Sequence, residues 1–165
     1  MSLDPNRLLR LDGEIALVTG AARGIGAAIA ELLAAAGAET VVADLDQAAS
    51  DALASSLVAR GFKARGLALD VSDEVGVKAA FARLHREFGR LDVLVNNAGI
   101  AIRRPTAELS RADWDKVLAV NLTGVFLCAQ AAAPLMIAGG GGRIVNLASI
   151  MGLSGGGLYP NISYQ

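Results

Sequence analysis

The stretch that decides the fold is IALVTGAARGIG, residues 15–26. Its first four residues are apolar and have the length of a buried strand, and the alanine- and leucine-rich residues 24–36 have the composition of a helix that ends at Gly37. Between them, Gly20, Gly24 and Gly26 allow a tight turn and a close approach of the backbone to a ligand. This order predicts a βαβ unit with parallel strands.

The same alternation continues along the chain. Further apolar runs of strand length occupy residues 40–43, 64–69, 91–95 and 143–147, and we expect each strand to be covered on both faces. Helices are predicted at 47–60, at 73–88 after a cap at Ser72, and from Ser110, where Asp113 completes a capping-box-like start. The sequence therefore predicts a single α/β domain, a doubly wound parallel sheet of the Rossmann fold over residues 1–165, with a sheet incomplete at its C-terminal end.

Composition excludes several function classes. The chain is 53% hydrophobic and 19% charged, and residues 117–142 carry no charge, but Asn121, Pro134 and four glycines interrupt that stretch, so we interpret it as a buried helix and a loop rather than a membrane span. A net charge of −1 gives no basic surface for nucleic acid. One cysteine and one histidine argue against a metal site, and the polar N-terminus without a signal region predicts a cytoplasmic location.

The glycine turn predicts a site for the pyrophosphate of a dinucleotide, because such turns open a helix whose N-terminus favours anions. Asp44 follows the second strand, 18 residues after Gly26, where a carboxylate accepts hydrogen bonds from an adenosine ribose. The same carboxylate repels a 2′-phosphate, which favours NAD. Arg23 lies in the turn and could pair with a phosphate, so NADP stays open as the alternative cofactor.

Three motifs, each directly after a predicted strand, resemble those of the classical short-chain dehydrogenase/reductase family. The turn at residues 19–26 matches its Thr-Gly-x-x-x-Gly-Ile-Gly pattern, Asp70 and Val71 resemble its adenine-contacting pair, and residues 96–99 match its Asn-Asn-Ala-Gly motif. The resemblance implies hydride transfer with a nicotinamide cofactor. The cofactor-binding residues it implies are Gly20, Arg23, Gly24, Ile25, Gly26, Asp44, Asp70, Val71, Asn97, Ala98 and Gly99.

The resemblance also implies a catalytic set of Asn, Ser, Tyr and Lys. Asn121 resembles the asparagine that bends a helix and anchors a relay water, Ser149 the serine that binds the substrate oxygen, and Tyr164 the acid/base. Tyr159 competes with Tyr164 for that role, but the spacing from Ser149 favours Tyr164. The family's lysine would come four residues after the tyrosine, and the sequence ends at Gln165, so we expect a longer polypeptide that carries it.

The function these residues predict is NAD-dependent interconversion of a secondary alcohol, such as a polyol or sugar, and its ketone. An NADP-dependent 3-oxoacyl-type reductase and a non-catalytic nucleotide-binding fragment are the alternatives. The expected partners are a small-molecule substrate and further copies of the chain in a homodimer or homotetramer, with no nucleic acid and no membrane. Trp114, Phe126 and Cys128 are expected in the core or at a subunit contact, and His85 on the solvated side of a helix.

Overall fold

Five parallel strands form the sheet in the computed structural model, which describes residues 9–149. The strands are β1 (Ile15–Thr19), β2 (Glu39–Asp44), β3 (Ala64–Ala68), β4 (Val93–Asn96) and β5 (Arg143–Asn146). The α-helices are α1 (Gly24–Ala35), α2 (Gln47–Ala59), α3 (Glu74–Phe88), α4 (Arg111–Leu118) and α5 (Gly124–Ala138). A short 3₁₀ turn, Thr106–Glu108, precedes α4, and a π-helical segment, Ala119–Thr123, joins α4 to α5.

The strand order is β3-β2-β1-β4-β5, with β1 at the centre. Leu17 of β1 lies opposite Val41 of β2 on one side and Leu94 of β4 on the other. The chain moves outward from β1 to β3 and then returns to the other side at β4. Such a reversal leaves a crevice beyond the carboxyl ends of the two central strands, where doubly wound folds bind their ligands. The predicted fold class is confirmed.

Each face of the sheet has its own apolar core. On one face, Leu17 and Leu94 pack with Phe81 of α3 and with Leu127 and Leu135 of α5. Alternate residues of the same strands point to the opposite face. There, residues of β1, β2 and β4 pack against residues of α1 and α2. They are Ala16 and Val18 of β1, Val42 of β2, Val95 of β4, Ala30 and Ala34 of α1, and Leu57 of α2. The central strands are therefore buried on both sides, as their nearly continuous apolar sequence predicts.

Capping side chains set the helix starts. The Ser110 hydroxyl accepts a hydrogen bond from the Asp113 amide at 3.0 Å, which confirms the predicted start of α4. The expected cap at Ser72 is wrong. Asp73 caps α3 by accepting from Val75 N at 3.1 Å, while Ser72 donates to Asp70. A carboxylate one residue further on competes for the exposed amides of the first turn, and here it is the better placed acceptor.

The edge strand β3 is not covered on both faces, contrary to expectation. Arg65 in its middle is half-buried, forms ion pairs with Glu39 and Glu87, and lies 4.5 Å from the centre of the Phe88 ring. The run 64–69 contains this arginine and a glycine, and charge in an edge strand discourages pairing with another chain. The charged residue marks the strand as an edge.

The other edge strand, β5, has an apolar sequence on an exposed surface. Ile144 and Val145 are 40% and 49% exposed, and Leu147 is also exposed. The sequence predicted this outcome, since five strands leave β5 as an edge although its residues suit a buried position. That further polypeptide or a second subunit covers β5 stays a prediction.

The long helix predicted from Ser110 is divided by the π-helical segment. By length and composition alone, the 28 residues Arg111–Ala138 would suffice to cross a membrane. In this fold, however, one face of α5 belongs to the core: Leu127, Cys128 and Leu135 are buried against the sheet and α3. Cys128 is thus a core residue, as predicted, whereas Phe126 on the outer face is 58% exposed. A subunit contact at this outer face stays a prediction.

Candidate cofactor and active site

The turn between β1 and α1 has the backbone that its glycines predict. Gly20 has φ +60°, in the left-handed region that glycine adopts without strain. A Cβ on Gly26 would lie 2.4 Å from the Gly20 carbonyl oxygen and 2.5 Å from Asn97 Nδ2. No side chain fits there, so position 26 brings the first turn of α1 against the ends of β1 and β4.

Thr19 and Asn97 join the carboxyl ends of the two central strands. Asn97 Nδ2 donates to the carbonyl oxygens of Thr19 and Gly20, each at 2.9 Å. In return, Thr19 Oγ1 accepts from the amides of Asn97 and Ala98 at 3.1 and 3.0 Å. Thr19 was not among the predicted site residues. Its place directly before the first glycine, at a strand's carboxyl end, was the available signal.

Asp44, the last residue of β2, is half-buried beside the glycine turn. One carboxylate oxygen accepts from Ala22 N at 3.0 Å and the other from Asp46 N at 3.2 Å. The first bond ties the carboxylate to the turn and fixes it at the mouth of the crevice. Such an anchored carboxylate can accept hydrogen bonds from ribose hydroxyls with little loss of side-chain freedom.

A cleft of about 320 Å³, called here the nucleotide cleft, runs along the carboxyl edge of the sheet. It brings together eight of the predicted cofactor residues: Gly20, Arg23, Asp44, Asp70, Val71, Asn97, Ala98 and Gly99. Leu45, Leu69, Ile100 and Val120 complete its lining and were not predicted. These four are apolar residues that adjoin predicted site residues in the chain. Their chain positions alone gave no functional signal.

A second cleft, of about 370 Å³ and called here the Ser149 cleft, adjoins the first. Asn97, Ala98, Gly99 and Ile100 line both. The Ser149 cleft also takes in Ile25, Asn121 and Ser149, so two predicted catalytic residues and one predicted cofactor residue share its wall. Tyr164 and Tyr159 lie outside the described residues.

Asn121 lies at the centre of the π-helical segment and clamps the segment that follows β4. Its Oδ1 accepts from Ile100 N and its Nδ2 donates to Ile100 O, both at 2.9 Å. The side chain thus reproduces the paired bonds of a neighbouring strand. Both polar atoms of the Asn121 amide are therefore engaged with Ile100. π-Helical backbone is rare in proteins, but where it occurs it often lies at a functional site. The resemblance predicted a bend at this position.

Asp70 and Val71 are held by different contacts. Asp70 is exposed, and its Oδ1 accepts from the amide and hydroxyl of Ser72 at 2.9 and 2.6 Å. Val71 is buried against Gly124 at the start of α5, where an added Cβ would come within 2.8 Å of Val71 Cγ2. Among residues 9–149, no group of three His, Cys, Asp or Glu side chains could hold a metal ion.

The family model for short chain dehydrogenases matches residues 14–163. The chain belongs to the short-chain dehydrogenase family. The matched range contains the turn between β1 and α1, residues 96–99 and Asn121.

Similar members of the short-chain dehydrogenase family include D-threitol dehydrogenase of Mycolicibacterium smegmatis, 51% identical over 140 residues, which are 85% of this chain and 54% of that protein. Gluconate 5-dehydrogenase of Gluconobacter oxydans is 43% identical over 143 residues, 87% of this chain and 56% of that protein. The crystal structure of a gluconate 5-dehydrogenase from Burkholderia cenocepacia in complex with NADP and tartrate matches with a TM-score of 0.90 and 38% identity, covering 98% of this chain and 62% of that one. The chain thus spans between 54% and 62% of the length of these relatives.

Proposed function

We propose that this chain is the cofactor-binding part of an NAD-dependent enzyme that interconverts a secondary alcohol and its ketone. The observation that carries the proposal is the anchored carboxylate of Asp44 beside the glycine turn. A dinucleotide laid along the nucleotide cleft would meet Asp44 at its adenosine ribose, the start of α1 at its pyrophosphate, and the Ser149 cleft at its nicotinamide.

Asp44 supports NAD over NADP. A 2′-phosphate would place a second negative charge against a half-buried carboxylate that already accepts two backbone hydrogen bonds. Arg23 is the observation that favours the other cofactor, since its exposed guanidinium lines the same cleft and could bind that phosphate. An NADP-dependent reductase of the 3-oxoacyl type therefore remains the second candidate.

When bound, the nicotinamide would accept or give the hydride. Within the chain, Ser149 would hold the substrate oxygen by hydrogen bonding, and Tyr164 would exchange the hydroxyl proton. A free tyrosine has a pKa of about 10, so it needs nearby positive charge to act as an acid/base at neutral pH. We propose that a lysine four residues after Tyr164, in a longer polypeptide, supplies that charge.

Asn121 would hold the proton relay through the backbone rather than through its amide. Both polar atoms of its side chain bind Ile100, so the amide keeps the segment after β4 in place beside Ser149. The π-helical turn frees a backbone carbonyl that could accept from a water. A water held there would lie beside the Ser149 cleft.

The relatives named above act on threitol and gluconate by their printed names, and both compounds are polyhydroxylated. We propose a polyhydroxy secondary alcohol as the substrate class. The lining of the Ser149 cleft supports this class because it mixes polar side chains with backbone groups rather than forming a purely apolar pocket.

Two measurements test the proposal on the full-length enzyme. Titration of reduced nicotinamide fluorescence should give tighter binding of the NAD form than of the NADP form. Absorbance of reduced cofactor should then rise when a panel of polyols and sugar acids is added with NAD. Tighter binding of NADP would select the reductase candidate, whereas cofactor binding without turnover of any alcohol or ketone would indicate a non-catalytic nucleotide-binding module.

A further inference from the structure

We propose that Gln47 is a positioning residue for the adenosine half of the cofactor, because its side chain holds the end of β3 where the chain enters the nucleotide cleft. This inference rests on the cofactor binding of the proposed function and extends it to a residue outside the cleft. Gln47 is the first residue of α2, is exposed, and lines neither of the two clefts.

Gln47 supplies a hydrogen-bond partner to the free side of β3. Within residues 9–149, β3 has a neighbouring strand on one side only, which is β2. Gln47 Oε1 accepts a hydrogen bond from the backbone amide of Ala68, the last residue of β3, at 2.6 Å. The side chain therefore takes the place of a further strand at this edge amide.

The chain enters the nucleotide cleft directly after this bond. Residues 69–71 follow Ala68, and all three line the cleft. The amide of Leu69 donates to the carbonyl oxygen of Asp44 at 2.8 Å. Two consecutive amides are thus fixed where this wall of the cleft begins, one by Gln47 at the edge of the sheet and the other by Asp44 inside it.

The Gln47 side chain is itself held in place. Its Nε2 donates to Asp51 Oδ1 at 2.8 Å, one turn further along α2. Asp51 lies against the backbone of β3, because a Cβ on Gly66 would come within 2.2 Å of the same carboxylate oxygen. Both polar atoms of the Gln47 amide group are bonded, so the oxygen that holds Ala68 has a fixed direction.

The first turn of α2 also holds the opposite wall of the nucleotide cleft. Asp46 caps the helix by accepting from Ala49 N at 3.0 Å, and its own amide donates to Asp44 Oδ1 at 3.2 Å. Consecutive residues of one helix start therefore bind Asp44 and the strand end that leads into residues 69–71. In the proposed function the adenosine ribose binds at Asp44 and the adenine lies toward residues 69–71, so the spacing of these two walls determines how the adenosine half fits.

The experiment compares three variants of the full-length enzyme, Gln47→Met, Gln47→Glu and the control Gln130→Met. Methionine is close to glutamine in length and helix propensity but offers no donor and only a weak acceptor, so Gln47→Met should fold. Glutamate keeps an oxygen that can accept from the Ala68 amide. Gln130 is the matched control because it is exposed on α5 and lines neither cleft. Equilibrium titrations with NAD, AMP and nicotinamide mononucleotide are the measurement.

We expect Gln47→Met to raise the dissociation constants of NAD and AMP by about 2- to 10-fold, the range of one lost hydrogen bond, and to leave that of nicotinamide mononucleotide unchanged. KM for NAD should rise with them, and kcat should not fall. Gln47→Glu should recover part of the AMP affinity, and Gln130→Met should bind all three ligands as the parent does. A purely structural role would lower the free energy of unfolding without changing the ratio of AMP to nicotinamide mononucleotide affinity.

The outcomes separate this inference from the proposed function. Unchanged AMP binding in Gln47→Met, or equal weakening of AMP and nicotinamide mononucleotide, would overturn the inference and leave the dehydrogenase standing. Selective loss of AMP affinity in an enzyme that binds NAD but turns over no alcohol would uphold the inference and refute the dehydrogenase. A parent enzyme that binds neither AMP nor a nicotinamide dinucleotide would refute both.

Discussion

Asn97 and Thr19 exchange hydrogen bonds across the two central strands, with the Asn97 amide group donating to the Thr19 carbonyl at 2.9 Å and the Thr19 hydroxyl accepting from the Asn97 backbone at 3.1 Å. The two residues stand at the carboxyl ends of β1 and β4. Each residue satisfies hydrogen-bonding groups of the other, so these bonds hold the ends of β1 and β4 together at the base of the crevice.

Replacing Thr19 with valine tests how much the hydrogen bonds of its hydroxyl contribute to stability. Valine keeps the shape of threonine but removes the acceptor of two hydrogen bonds from the part-buried amides of Asn97 and Ala98. At about 0.5–1.5 kcal/mol for each bond, the free energy of unfolding should fall by about 1–3 kcal/mol. The chain offers a matched control in Thr40, whose buried hydroxyl has no hydrogen-bond partner within the described structure. Thr40→Val should be neutral or stabilising in urea unfolding. Equal losses in both variants would refute a special role for Thr19.

Gly26→Ala should be more damaging than an ordinary glycine substitution in a helix. The new Cβ would meet the Gly20 carbonyl oxygen at 2.4 Å, so α1 must move away from the glycine turn. Overpacking of this kind costs about 1–3 kcal/mol, and cofactor affinity should fall because the helix start shifts. Gly99→Ala serves as the stability control, since its nearest contact, at 3.5 Å from Asn121 Oδ1, is ordinary. Thermal unfolding compares the two variants. Cofactor titration compares Gly26→Ala with the parent protein, because Gly99 itself lines the nucleotide cleft.

Asp44→Asn should shift cofactor preference toward NADP by about tenfold, equivalent to about 1.4 kcal/mol, because it removes negative charge and keeps the side-chain shape. The ratio of the two dissociation constants is the measurement. Asp46→Asn is the control. It removes the same charge two residues away, and asparagine preserves the cap that Asp46 provides to α2 through Ala49 N. A similar shift in both variants would point to general surface charge instead of a contact.

Cys128 should be chemically inert in the folded protein. Burial raises the pKa of its thiol from 9.0 to about 12, and only the thiolate reacts with alkylating agents. At pH 8, mass mapping should therefore find Cys128 unlabelled by iodoacetamide in the native enzyme and labelled after urea unfolding. Complete labelling of the native enzyme would contradict the buried position.

The same thiol sets a stability trend on the alkaline side. Since folding raises its pKa, the unfolded chain releases this proton first, and the stabilisation present below pH 9.0 is lost as the pH rises toward about 12. In urea unfolding between pH 8 and 10.5, the parent protein should lose more stability than Cys128→Ala does. Parallel curves would refute the linkage.

The sequence predicted the fold well for the strands that are buried on both faces of the sheet. The runs that became β1, β2 and β4 are nearly continuous in apolar residues, and the structure buries them on both faces, so composition was enough to predict their place inside the sheet. Prediction failed for β3, although Arg65 within the run was an available sign of an edge strand. In the structure, Arg65 forms ion pairs with Glu39 and Glu87. Those partners come from other elements, and their proximity depends on tertiary packing.

The site was predictable to the extent that its residues stand at strand ends. Asp44, Asn97 and Gly20 were found because each follows an apolar run. Thr19 was missed because its hydrogen bonds join it to a segment nearly eighty residues away in the chain. Local sequence does not reveal contacts of that kind. The engagement of the Asn121 amide with Ile100 was likewise not visible, since the bend was expected but its partner was not.

The link between Thr19 and Asn97 also constrains the order of events when the protein is made. The two residues are separated by 78 positions, so the crevice cannot close until the first four strands have all been synthesised. At about 5–20 residues per second, roughly 3–10 s pass between the synthesis of Asp44, which ends β2, and that of Asn96, which ends β4, and during this time β1 can pair only with β2. Slow pairing of distant parallel strands is typical of such topologies. During this period one edge of β1 has no partner strand, and an unpaired edge of this kind is a site at which a nascent chain can pair with another chain.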